Sequence, residues 1–180
     1  MIRAALIQMR SGSDMARNLA DASEMIRSAA GQGAGFVSTP EMTNILEPDR
    51  PRLRSLARPE GEDESVNGFS ALAKELCLWL NIGSLALMGP GEKLINRSLL
   101  FAPDGSIAAR YDKIHLFDVD LPTGESLRES HAYDGGGRAV LVETPFGPVG
   151  LTICYDMRFP QLYRALAQAG ARLFTVPSAF

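Results

Sequence analysis

The sequence predicts an α/β protein with mixed β-sheets and helices packed outside them. Through the first third of the chain, strand-length apolar runs alternate with segments of helical periodicity. Hairpin patterns, paired apolar runs flanking a tight turn, then dominate the middle. With 180 residues, 46% of them hydrophobic and 22% charged, the chain can bury a real core, and residues 1–180 read as one domain.

Each element has its own reason. Residues 2–9, IRAALIQM, are mostly apolar and of strand length, which fits a strand covered on both faces. In residues 18–33, Leu19, Ala22, Met25, Ile26, Ala29 and Ala30 recur three and four apart before a glycine-rich stop, which predicts a helix with one buried stripe. Residues 35–39, GFVST, read as a short buried strand that Pro40 ends, leaving Glu41 just past its carboxyl end. Residues 47–65 are rich in Pro, Arg and acids without an apolar period, so they read as a solvated connection with little part in chemistry. A second helix is predicted over 67–80, with Phe69, Leu72, Ala73, Leu76 and Leu80 on one face and Cys77 packed among them as a core thiol. Residues 81–88 form a strand, and 96–113 a hairpin whose Pro103-Asp104-Gly105 makes the turn and whose second strand ends at Lys113. Residues 118–138 read as loop, with Gly135-Gly136-Gly137 a flexible turn. A hairpin over 138–154 turns at Phe146-Gly147 and delivers Cys154, a helix covers 158–170, and residues 171–177 begin another strand.

Composition excludes several classes of function. A net charge of −3 without any basic run gives no footprint for nucleic acid or an anionic membrane surface. No apolar stretch reaches the length of a membrane span, and the apolar start lacks a signal-peptide cleavage pattern. The two cysteines, Cys77 and Cys154, match no disulfide or CxxC metal pattern, which suits a reducing compartment and predicts a cytoplasmic protein.

Glu41, Lys113 and Cys154 all fall at carboxyl ends of predicted strands, the edge of an α/β sheet where ligands gather. A thiol at a strand-to-helix elbow meets unpaired N–H groups and the positive end of a helix dipole, both of which favour the thiolate nucleophile. Its base is not an obvious histidine, since His115 and His131 both lie in loop-like sequence. Glu41 fills that role better: a carboxylate enclosed by apolar residues can take the thiol proton and later hand it to a leaving amine. The Lys113 ammonium would stabilise both groups and the oxyanion of a tetrahedral intermediate.

Three stretches, FVSTPEMTN around Glu41, RYDKIHLFDVDLP around Lys113 and GLTICYDMRFPQLYR around Cys154, stand in the order and approximate spacing of the nitrilase, or carbon–nitrogen hydrolase, superfamily. The chain resembles that superfamily from MIRAALIQM onward. The resemblance implies an αββα four-layer sandwich, a catalytic triad of Glu41, Lys113 and Cys154, and hydrolysis of a small-molecule amide through a thioester with release of ammonia. It implies no metal or cofactor, and a homodimer or larger homo-oligomer built through helices near the nucleophile. A second glutamate that positions the lysine falls on Glu129 in SLRES, with Glu125 as second choice. CYDMRFP and YDKIHLFDVD are most similar to the Nit branch of omega-amidases and amidases of deaminated glutathione, whose substrates are small carboxamides that also carry an acid. On that reading Arg158 anchors the substrate carboxylate, with an ordinary ion pair its equal alternative, and the backbone N–H of Tyr155 joins the oxyanion hole. Family members extend well past residue 180, so the chain is expected to be the N-terminal two-thirds of its domain, with the C-terminal part of the sandwich missing.

Other readings stay open at this level. A non-catalytic protein or inactive fragment could keep the fold, and a Cys154–His115 hydrolase would use the histidine as base. His115, Asp118 and Asp120 could suggest a metal site, although an ordinary polar loop accounts for them better.

Overall fold

The computed structural model describes residues 2–179. The chain runs β1 (Ala4–Leu6), α1 (Met15–Gly31), β2 (Phe36–Ser38), α2 (Arg50–Leu56), α3 (Glu64–Leu76), β3 (Trp79–Met88), β4 (Leu94–Phe101) and β5 (Ile107–Asp112). It continues through β6 (Asp118–Asp120), β7 (Ser126–Arg128), β8 (Tyr133–Asp134), β9 (Val140–Val142), β10 (Val149–Leu151), α4 (Pro160–Gln168) and β11 (Leu173–Thr175). Strands β1 to β5 lie side by side in sequence order, the first three parallel and the rest antiparallel, while β8 pairs with the start of β4. Strand β10 pairs antiparallel with β9 and parallel with β11 in a second sheet, so both sheets are mixed.

The period-two alternation of strand side chains explains the layering. In β2, Val37 faces α1 and α3 while Phe36 faces the second sheet; in β4, Leu99 and Phe101 take the helical side and Leu100 the sheet side. Val149 and Leu151 of β10 complete the core between the sheets. Gly150, between them, faces the opposite way, against Leu166 of α4. The order is therefore helix, sheet, sheet, helix. Between the sheets Leu100, Val149 and Leu151 are fully buried, and on the helical side of the first sheet Leu80, Ile82 and Leu99 are equally inaccessible. Each such side chain contributes about 1.5–3 kcal/mol of transfer free energy.

Four local expectations are corrected. Strand β1 is only three residues long and lies at the sheet edge, where Leu6 remains 83% exposed instead of covered. The segment 47–65 is not featureless: Asp49 caps α2, with Pro51 in its first turn. Leu53 and Ala57 then bury against Ile45, Ala86, Leu94 and Tyr133. Helix α3 stops at Leu76, and Cys77 follows in a left-handed conformation (φ 51°), exposed and outside the core. The apolar run that prolonged the helical pattern, Leu78 to Leu80, belongs to the entry into β3. Residues 118–138 hold the β6–β7 hairpin, a 3₁₀ turn over Glu129–His131 and β8.

One glycine governs how the sheet meets the functional end. The β3–β4 register shifts between Ile82 and Leu85. At that irregularity a Cβ on Gly83 would lie 2.2 Å from the Thr39 carbonyl oxygen and 2.4 Å from that of Pro40. Backbone atoms cannot yield as a side-chain tip can. Gly83→Ala is expected to destabilise the protein by about 1–3 kcal/mol, read as a lowered thermal midpoint; an unchanged midpoint would show that the turn after β2 is not clamped on β3.

Candidate active site

Glu41 stands on the turn that leaves β2, and that turn is fastened to β3. The Thr39 N–H donates to Asn81 O (3.0 Å), the Ser84 N–H to Pro40 O (3.2 Å), and the Thr43 N–H to Ser84 O (2.8 Å). The Ser84 hydroxyl accepts from the Met42 N–H at 3.0 Å. Met42 is held at φ 55°, a conformation that non-glycine residues adopt only under surrounding constraint. Glu41 itself is 6% exposed.

Lys113 directly follows β5. Its N–H donates to Asn96 O of β4 (2.9 Å), and its own carbonyl accepts from the Gly136 N–H (2.8 Å). A Cβ on Gly136 would meet the Asp112 carbonyl oxygen at 2.2 Å, so at this glycine the stretch is a close backbone approach and not merely a flexible turn, while Gly137 faces open space. The ammonium is 2.9 Å from Glu41 Oε1 and 2.9 Å from Glu129 Oε2. Burial alone would drive its proton off, but the two carboxylates outweigh that penalty and hold Lys113 above the usual lysine range.

The carboxylates have further donors. Asn96 Nδ2 lies 2.9 Å from Glu41 Oε1 and 3.3 Å from Glu129 Oε1. The Ala179 N–H reaches Glu41 Oε2 at 3.0 Å, and the Phe117 N–H reaches Glu129 Oε2 at 2.6 Å. Glu129 opens its 3₁₀ turn, whereas Glu125 is exposed at the tip of the β6–β7 hairpin. Asn96 was not singled out by the sequence reading. It lies inside a strand, and no motif distinguishes it from a strand asparagine facing solvent.

Cys154 follows β10 and opens a 3₁₀ turn over Cys154–Arg158, with α4 starting only at Pro160. It is left-handed at φ 46° and held by its N–H on Pro177 O (2.8 Å). The expected helix-end activation is not what governs the thiol. Burial, then the charge and hydrogen bonding of Glu41, push Cys154 above the ordinary cysteine value, while Lys113 and Ser178 pull the other way. Burial and the neighbouring Glu41 charge thus disfavour the thiolate form of Cys154.

Glu41, Lys113, Glu129 and Cys154 line one cavity of about 470 Å³. Its walls are otherwise largely apolar, with Met42, Ile45, Leu53, Phe117 and Tyr133 among them. Tyr155 flanks Cys154 with its ring edge-on to Phe117 at 5.0 Å. Arg158 is exposed, forms no ion pair among the described residues, and is not part of the cavity lining. The 3₁₀ turn has three residues per revolution, so Arg158, two beyond the buried Asp156, emerges on another side. The guanidinium groups in the lining are those of Arg50 and Arg128.

His115 is not among the lining residues; its Nδ1 sits 2.7 Å from Asp156 Oδ1. Asp118 accepts from the Ser130 N–H and Asp120 from Ser126 and Arg128, so the three side chains considered for a metal have separate partners.

The chain belongs to the carbon–nitrogen hydrolase family, whose sequence profile matches residues 3–179. It is 40% identical to an omega-amidase from Homo sapiens, over 99% of this chain and 63% of that protein. It is 37% identical to a deaminated glutathione amidase from Bos taurus, over 98% of this chain and 55% of that protein. Its fold is similar to the NitFhit protein of C. elegans, with a TM-score of 0.90 and 32% identity over 98% of this chain and 43% of that one. The chain thus spans 55–63% of the length of these two curated relatives.

The role of Asn96 can be tested by charge. Asn96→Asp replaces an N–H donor by a third carboxylate, and added negative charge disfavours the thiolate. The pH profile of Cys154 alkylation is expected to move to higher pH, with Cys77 unaffected; a profile that stays in place would exclude Asn96 from the electrostatics of the site.

Proposed function

We propose that the protein hydrolyses the amide of a small carboxamide, with Cys154 as nucleophile, Glu41 as general base and acid, and Lys113 as electrostatic stabiliser. The observation that supports this most strongly is one ammonium at 2.9 Å from each of two carboxylates, in the same cavity as a thiol. Glu41 takes the thiol proton as Sγ attacks the carbonyl carbon, and the resulting oxyanion is met by Lys113 and the backbone N–H of Tyr155. Glu41 then gives that proton to the nitrogen, the C–N bond breaks, and ammonia leaves a thioester on Cys154. A water molecule, deprotonated by Glu41, attacks the thioester, and the thiolate departs and is reprotonated. Glu129 and Asn96 hold the ammonium and Glu41 in place throughout.

The names of the relatives, an omega-amidase and a deaminated glutathione amidase, favour a carboxamide that also bears an acid. Within the cavity lining, Arg128 is paired with Asp120, whereas Arg50 has no acidic side chain against it among the described residues. Arg50, exposed at the cavity wall and donating to the Arg128 carbonyl at 3.0 Å, is therefore the group that meets the acid end, in place of Arg158, which lies outside the lining. Arg50→Ala is expected to raise KM for acid-bearing carboxamides and leave uncharged ones unchanged; equal effects on both would remove it from that role.

Glu41→Gln separates general-base catalysis from simple thiol acidity. Losing the Glu41 charge makes the thiol more acidic, so a site driven only by thiolate abundance would speed up near neutral pH. The base reading predicts the reverse, a fall of about 10²–10⁴-fold in ammonia release. Iodoacetamide should also modify Cys154 of the parent protein faster than the more exposed Cys77. A Glu41→Gln protein as active as the parent, or equally slow labelling of both cysteines, would contradict the proposal.

A further inference from the structure

We infer that Asp156 is a positioning residue whose carboxylate fixes the Cys154 elbow against the Lys113 segment. The inference rests on the proposed function, because it assigns a role in presenting the nucleophile. Asp156 is fully buried and is not part of the cavity lining, so it touches neither substrate nor the other carboxylates. Its carboxylate nevertheless accepts four hydrogen bonds. Oδ2 receives the Tyr111 hydroxyl at 2.6 Å and the Ile153 N–H at 2.8 Å. Oδ1 receives the His115 N–H at 3.1 Å and lies 2.7 Å from His115 Nδ1.

The spacing of those donors gives the arrangement its meaning. Tyr111 and His115 stand two residues before and two residues after Lys113, and Ile153 immediately precedes Cys154. One carboxylate therefore grips both sides of the lysine and the residue before the nucleophile, across the seam between the two sheets. The donors are durable. Burial, reinforced by Asp156, pushes the Tyr111 phenol well above its ordinary value, so it keeps its proton. The His115 ring is stacked on Phe159 at 3.6 Å with 10° between planes, which fixes its orientation. With a carboxylate oxygen facing it, Nδ1 is the nitrogen that carries the hydrogen. Cys154, in its left-handed conformation, depends on such external fastening.

The same contacts define the test. Asp156→Asn offers one oxygen and one N–H₂ group, so one of the two donor pairs loses its acceptor. His115→Asn keeps an N–H donor near the Nδ1 position, and His115→Ala removes it. Iodoacetamide labelling is followed separately at Cys154 and Cys77 by mass spectrometry, with thermal unfolding measured alongside. Asp156→Asn and His115→Ala are expected to slow Cys154 labelling by up to about 10²-fold, the scale of a small misplacement of reacting groups. Cys77 labelling should hold at the parental rate, and His115→Asn should recover Cys154. A buried acid that merely stabilises the fold would lower the thermal midpoint without selective loss at Cys154, and that result overturns the inference. If Asp156→Asn does not fold, the two His115 variants decide: equal labelling in both overturns it. A parent protein whose Cys154 reacts no faster than Cys77 would overturn the proposed function, and this inference with it. Recovery by His115→Asn also counts against His115 as the base, since asparagine cannot take a proton.

Discussion

The structure depends on one buried ammonium. Removing a charged lysine from water costs several kcal/mol, and only close opposite charge makes it tolerable. Lys113 satisfies that condition by lying 2.9 Å from Glu41 and 2.9 Å from Glu129, which the chain brings in from the turn after β2 and from the segment after β7. Two carboxylates against one ammonium leave a formal negative charge over. Asn96 and the Phe117 and Ala179 N–H groups are aimed at the carboxylates and offset it. The cluster is thus one electrostatic unit, and any one member removed leaves the charges of the others poorly compensated.

That unit also sets the chemistry of the sulfur. Beside a carboxylate and partly buried, the thiol is held above its usual range despite the lysine nearby. A resting thiolate would be reactive toward any electrophile entering the cavity. A protonated thiol with an adjacent base is activated as the carbonyl is attacked, and the same base can then supply the proton the leaving nitrogen needs. On the proposed function, the lysine serves both states by its charge.

Much of this was legible in the sequence, for identifiable reasons. Glu41, Lys113 and Cys154 stood out because each falls at the carboxyl end of a predicted strand; the mixed-sheet α/β class followed from alternating and helical periods, whereas the four-layer order came from the family resemblance. The αββα order is visible in the opposite facing of Phe36 and Val37 and of Leu100 and Leu99. What stayed hidden depends on contacts across the chain. Asn96 looks like any strand asparagine until β4 is placed beside the two glutamates. Arg158 lies close to Cys154 in sequence, yet the pitch of a short 3₁₀ turn carries it away from the cavity. The segment 47–65 hid a helix because its charges masked Leu53 and Ala57, although the Asp49-Arg50-Pro51 start was a readable signal. Cys77 was misplaced because the helical period ran on into residues that belong to a strand.

The central claim is that sulfur, carboxylates and ammonium act together on one acyl group. The most direct measurement is intact-protein and peptide mass spectrometry of samples quenched in acid while ammonia is being released from a small acid-bearing carboxamide. The account predicts a transient adduct on Cys154 with the mass of the substrate acyl group, the amide nitrogen having left. Ammonia released with Cys154 never acylated, or with the acyl group on another residue, would contradict it.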